Sequence, residues 1–197
     1  MSQGSDVRAA SDGRNRILQS ATVLFAQRGF HGVSISDVAE AAGLVKSSIY
    51  HHFENKEALY LAVLTEMSRT SREQMAAGAR GDTWQERLRG AVRVLGQLIG
   101  PRSHVLSLIL GGMAQMPAIN DQQTIEAIAS LRREFAAVLT REIQAGIAAG
   151  DLRDIEPELS AICLVGLVSA ALQSLGGTAE DARVDFAIDL FLHGAAR

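Results

Sequence analysis

A chain of 197 residues that is 47% hydrophobic, 5% aromatic and holds only 3 Pro can bury one core, or join a small module to a larger one. Its Ala- and Leu-rich stretches between glycine clusters favour an all-α fold over strands. The formal net charge of -3 excludes an overall basic field, so any contact with nucleic acid must come from a local surface.

Cys163, the single cysteine, excludes an internal disulfide and a cysteine-built zinc cluster and fits a reducing, cytoplasmic compartment. The polar opening, Met1 to Gly13, lacks the apolar core of a secretory signal. The greasiest run, Ala161 to Leu172, is too short to span a bilayer. A soluble protein with no membrane partner is expected.

Residues 1–13 carry no periodic apolar pattern and read as a flexible arm, with ordered structure starting near Arg14. Ile17, Leu18, Ala21, Leu24 and Phe25 then recur at helical spacing, and Gly29 stops that first helix. Ser34 to Asp37 forms a capping box that opens a short helix over Ile35 to Ala42. Gly43 ends it, and a third helix from about Val45 to Phe53 places Val45, Ile49 and Phe53 on its inner face. Asn55 can cap the next helix, whose apolar positions include Leu59, Val63 and Met67.

Gly78 to Gly81 is the clearest internal boundary, followed by a start signal at Asp82 or Thr83. Helices are expected over 84–99, 103–116 and 121–149, then one opened by Pro157 and closed by Gly176-Gly177. The last is opened by a capping box from Thr178 to Asp181.

Two short helices across a glycine turn, packed on a third, make a helix-turn-helix whose second helix enters the major groove. On the outer arc of the 45–53 helix lie Ser47, Ser48, Tyr50 and His51, with Lys46 and His52 at its margins: donors, and no carboxylate. Lys56 can add a phosphate contact from the next helix. Residues 1–60 balance six basic side chains (Arg8, Arg14, Arg16, Arg28, Lys46, Lys56) against six acidic ones (Asp6, Asp12, Asp37, Glu40, Glu54, Glu57), so affinity depends on placement rather than on total charge.

The run Ser34-Ile-Ser-Asp-Val-Ala-Glu-Ala-Ala-Gly43, then Lys46-Ser-Ser-Ile-Tyr-His-His-Phe53, then Asn55-Lys-Glu-Ala-Leu59 resembles the DNA-binding signature of the tetracycline-repressor (TetR) family. The resemblance covers roughly Arg14 to Leu64. It implies about nine helices, arranged as a three-helix DNA-binding domain over 14–60 and a helical effector-binding and dimerisation domain over 61–197. By position it implies that Ser34, Lys46, Tyr50, His51 or His52, and Lys56 hold the phosphate backbone, with Ser47 and Ser48 nearest the bases. Leu44-Val45 departs from the pattern, where many members place a polar residue before the lysine, and Ser47 often stands as glycine; the base-reading pattern is therefore left open.

The resemblance further implies a homodimer through the last two helices, about 157–174 and 179–193, bound to a pseudo-palindromic operator and released by a small hydrophobic effector. The 157–174 segment is apolar nearly all round, with small residues at Ala161, Gly166, Ala170 and Ala171. With Val184, Ile188 and Phe191 it forms the expected interface.

Tyr50 and His52 could instead brace their short helix, and Lys46 and Lys56 could be solvated surface charges. His104, Met113, Gln115, Met116 and Phe135 could face an effector or serve packing. Cys163, with only Ile162, Leu164 and Val165 beside it, reads as a buried inert thiol, and Trp84 as packing. His51 and His52 diverge by about 100° on a helix and make no metal pair. No phosphate-cradling loop, nucleophile elbow or zinc-protease motif supports an enzyme, and no cofactor is implied. An interaction module whose helical body binds another protein is the remaining rival.

Overall fold

The computed structural model describes residues 3–99, 122–173 and 179–196. Among the described residues the chain is all-helical: α1 (Gln3–Arg28), α2 (Ile35–Ala42), α3 (Lys46–His52), α4 (Lys56–Gly78), α5 (Trp84–Ile99), α6 (Gln122–Ala148), α7 (Pro157–Gln173) and α8 (Glu180–Ala195). An isolated antiparallel bridge between Leu152 and Ala196 is the extended pairing found among them. The expected 103–116 helix lies outside the described residues, as do His104, Met113, Gln115, Met116 and Thr178.

The described residues form two compact units, 3–66 with 122–129, and 67–99 with 130–173 and 179–196. The seam falls inside α4, so Gly78 to Gly81 ends a helix rather than dividing the units.

In the first unit, α1 begins at Gln3 instead of near Arg14. The polar composition of 3–13 reads as an arm because it lacks an apolar stripe, yet it contains no proline to stop a helix. The core of this unit gathers Ile17, Ala21 and Phe25 of α1, Val38 of α2, Ile49 of α3, and Leu59, Tyr60 and Val63 of α4, all nearly solvent-free. Tyr60 meets Phe25 and Phe30 edge-on, at ring separations of 5.0 and 5.1 Å, the geometry that aligns ring edges with ring faces. Burial pushes the Tyr60 phenol up to about 12.

In the second unit α5 packs on both α7 and α8. Leu88, Ala91, Val92 and Leu95 of α5 share the core with Leu164 and Val168 of α7 and with Val184, Ala187 and Ile188 of α8. Gly96 permits the close approach, since a Cβ there would lie 2.6 Å from Val184 Cγ2. A reciprocal cap starts α5: the Glu86 amide donates to Thr83 Oγ1, and the Thr83 amide donates to Glu86 Oε2. Donation from the Thr83 amide first and then from the Asp82 amide holds the Glu86 carboxyl below its usual range.

Buried Glu142 of α6 accepts from Arg87 of α5 at 2.7 Å and from its neighbour Arg141 at 2.7 Å. Trp84 is buried and donates its indole N–H to Asp151 at 2.8 Å, in keeping with packing, and Phe135 is buried in the core.

Two expectations are corrected here. Val184 and Ile188 point into the core of their own unit, while Phe186 and Leu190 are exposed. α8 is apolar on more than one side, and sequence periodicity does not choose between two apolar stripes. Cys163 is exposed rather than buried, since α7 exposes the side on which it lies. The capping box expected from Thr178 to Asp181 lies partly outside the described residues; α8 begins at Glu180, after Ala179.

Candidate nucleic-acid interface

The site is assembled by local rules acting on consecutive segments. Ser34, with extended backbone, caps α2: its hydroxyl accepts from the Asp37 amide at 3.1 Å, while its own amide donates to Asp37 Oδ2 at 2.7 Å. The Ser34 backbone and then its hydroxyl hold the Asp37 carboxyl below its usual range.

At the other end, Gly43 adopts φ 63, a left-handed conformation that glycine takes without steric cost. Its amide donates to Glu40 O at 3.0 Å and the Leu44 amide donates to Ala39 O at 2.9 Å, the paired bonds that close a helix through a left-handed residue. The tight turn that results brings α3 back across α1 and α2.

α3 runs from Lys46 to His52. Ile49 and Phe53 are buried as expected, but Val45 is 67% exposed. It is the N-cap residue, with φ -83 and ψ 151 and no side-chain cap hydrogen bond, so the helical wheel that put it on the inner face does not apply to it.

The remaining positions sort by exposure. Lys46, Ser47, Tyr50 and His51 are exposed, Ser48 and His52 are half-buried. Lys46 and Tyr50, and Ser47 and His51, are i,i+4 pairs, which stand side by side along one helix face. That face bears an ammonium, hydroxyls and an imidazole, with no carboxylate from α3.

His52 is turned from this group toward α1: a Cβ on Gly13 would lie 3.4 Å from its Nε2, and its ring sits 6.4 Å from that of Phe53. Ser34 is exposed at the start of α2. Lys56 is half-buried, its ammonium 4.3 Å from the Phe30 ring centre. Asn55 Oδ1 caps α4 by accepting from the Ala58 amide at 2.7 Å.

Three residues of this assembly were not singled out by sequence reasoning: Arg14, over the Phe53 ring at 5.3 Å; Arg16, whose guanidinium donates to the Ala42 carbonyl; and Phe30 beneath Lys56. Each acts on a residue distant in sequence, where periodicity and capping patterns carry no signal. Among the described residues no three His, Cys, Asp or Glu side chains gather as a metal site, and no helix is long and apolar enough to cross a membrane.

A capped helix, a left-handed glycine turn and a second helix with a carboxylate-free outer face define a helix-turn-helix DNA-binding regulator. Comparison with known proteins narrows the class. The family described as bacterial regulatory proteins, tetR family, matches residues 17–63, and a tetracyclin repressor-like C-terminal domain matches residues 81–194.

The HTH-type transcriptional repressor KstR2 of Rhodococcus jostii is 28% identical over 160 residues, 79% of this chain and 76% of that protein. AibR, solved with isovaleryl coenzyme A and operator DNA, shares the fold at TM-score 0.72 and 23% identity, over 90% of this chain and 97% of that one. FadR from Bacillus subtilis, solved with stearoyl-CoA, does so at TM-score 0.74 and 18% identity, over 91% and 97%.

The chain belongs to the TetR family. It is a transcriptional regulator that binds DNA, and it is not an enzyme.

Proposed function

We propose that the protein is a repressor that binds a pseudo-palindromic operator as a homodimer, with α3 in the major groove, and that an acyl-coenzyme A thioester releases it. The observation that carries the DNA-contact assignment is the outer face of α3: Lys46, Ser47, Tyr50 and His51 exposed together, seated on buried Ile49 and Phe53. Lys46, Tyr50, His51 and Lys56 hold phosphates, as does Ser34 at the α2 N-terminus. Ser47 and Ser48 approach the base edges. His52, turned toward α1, braces the helix more than it contacts DNA.

Dimerisation is supported by the outer surface of α7 and α8, where Leu159, Ile162, Phe186 and Leu190 are exposed. Leu159, Cys163, Leu167, Leu190 and Phe191 line a groove of about 440 Å³ there. A second copy covers this surface and sets two α3 helices about one DNA turn apart. The effector class is supported by the two acyl-CoA-bound proteins of the same fold.

The test is a fluorescence anisotropy titration of DNA upstream of the protein's own gene, followed by isovaleryl-CoA or stearoyl-CoA. Saturable binding at two protomers per site, reversed by one thioester and untouched by free coenzyme A, is the expected result. Binding that no thioester alters would overturn the effector assignment, and binding by a monomer the dimer.

A further inference from the structure

α3 has seven residues, and helices this short are not stable alone. Its N-cap, Val45, provides no side-chain hydrogen bond. The angle at which α3 presents its outer face is therefore imposed by its neighbours. Ile49 and Phe53 pin its inner face, but a buried apolar pair resists withdrawal better than it resists rolling.

The turn before α3 has its own accounting. The last carbonyls of a helix lack intrahelical partners. At the end of α2, the Ala39 and Glu40 carbonyls are met by the amides of Leu44 and Gly43. The Ala42 carbonyl, one residue before the turn, is met by the guanidinium of Arg16, which reaches it from α1 across 26 positions of sequence.

The seat is closely fitted, because a Cβ built on Gly43 would lie 3.0 Å from that same guanidinium nitrogen. Two residues earlier in α1, Arg14 lies over the Phe53 ring at the far end of α3, and Gly13 abuts His52. One turn of α1 thus holds the recognition helix at both ends.

We propose that Arg16 is a positioning residue for operator recognition: by donating to the Ala42 carbonyl it fixes the α2–α3 turn, and with it the angle at which α3 meets the bases. This rests on the proposed DNA-contact role of α3. A cation on the same helix could alternatively touch a phosphate directly, and the two roles differ in what salt does. A lost phosphate contact lowers the slope of log affinity against log salt by about one and weakens all sequences alike. A lost positioning contact leaves the slope in place and weakens the specific sequence.

The experiment uses the full chain and a duplex that the wild type selects from a random library, beside an unrelated duplex of equal length. Arg16→Ala is expected to bind the selected duplex roughly 10-fold more weakly, the effect of losing one charge-assisted hydrogen bond, with unchanged affinity for the unrelated duplex and an unchanged salt slope. Arg16→Lys, which keeps a donor and the charge, is expected to recover part of the loss; it carries the same test should the alanine variant fail to fold.

A slope reduced by about one, equal weakening on both duplexes, or a lowered melting temperature with full affinity in the folded protein would each overturn the proposal. Failure of the wild type to select any duplex would instead overturn the functional reading beneath it.

Discussion

Phe186 offers a quantitative test of how two copies would meet. Its side chain is 64% exposed on α8, beside Leu190 at 51%. Full burial of a phenylalanine is worth about 1.5–3 kcal/mol, so about 1–2 kcal/mol remains to be gained at this position in each copy. A two-fold interface uses the residue twice. Phe186→Ala should then weaken the dimer by about 2–4 kcal/mol, or roughly 30- to 700-fold in Kd at 1.4 kcal/mol per tenfold.

Sedimentation velocity over a dilution series reads that constant directly. Val184→Ala is the control, because Val184 is buried against Gly96 in its own unit. It should cost about 2 kcal/mol of folding stability and leave association unchanged. Equal dimer constants for Phe186→Ala and wild type would refute the reasoning, as would a Val184→Ala variant that dissociates while staying fully folded.

Three further outcomes follow from the packing. Val45→Thr gives α3 the side-chain cap it lacks and should raise stability in urea titrations by about 1 kcal/mol; no gain would show that the cap position is already satisfied. Tyr60, neutral when buried, has its folded value raised from 10.0 to about 12. Its contribution is therefore complete below pH 10 and is lost as pH rises from 10 toward 12; Tyr60→Phe should flatten the wild type's decline across that window, and an unchanged decline would assign it to other groups.

Finally, Arg87→Ala leaves buried Glu142 with only the exposed Arg141 and should cost about 3 kcal/mol. Arg141→Ala should cost under about 1 kcal/mol. Equal thermal shifts for the two would contradict that asymmetry.

What could be read from the sequence was what is decided locally. Ser34 with Asp37, Gly43, Asn55 and Pro157 each mark a helix end through bonds or backbone conformations within a few residues, and the structure places helix ends at them. The donor-rich outer face of α3 was legible because seven residues at a fixed helical period decide it.

Legibility failed where the answer depends on distant neighbours. Val45 was misplaced because a wheel was extended onto a residue outside the helix. Val184 and Ile188 turn inward and Phe186 and Leu190 outward, because a helix with two apolar stripes does not announce which of them its own core takes. Cys163 was misjudged for the same reason on α7. Arg16 resembled an ordinary surface cation until the fold brought it to the end of α2.

The central claim is that α3 reads operator DNA through its exposed face. The measurement that tests it most directly is the salt dependence of operator binding for wild type, Lys46→Ala and Tyr50→Ala. Tight, salt-steep binding by the wild type, weakened in both variants and with the slope reduced by about one for Lys46→Ala, is the predicted result. Variants that bind with wild-type affinity and slope would contradict it.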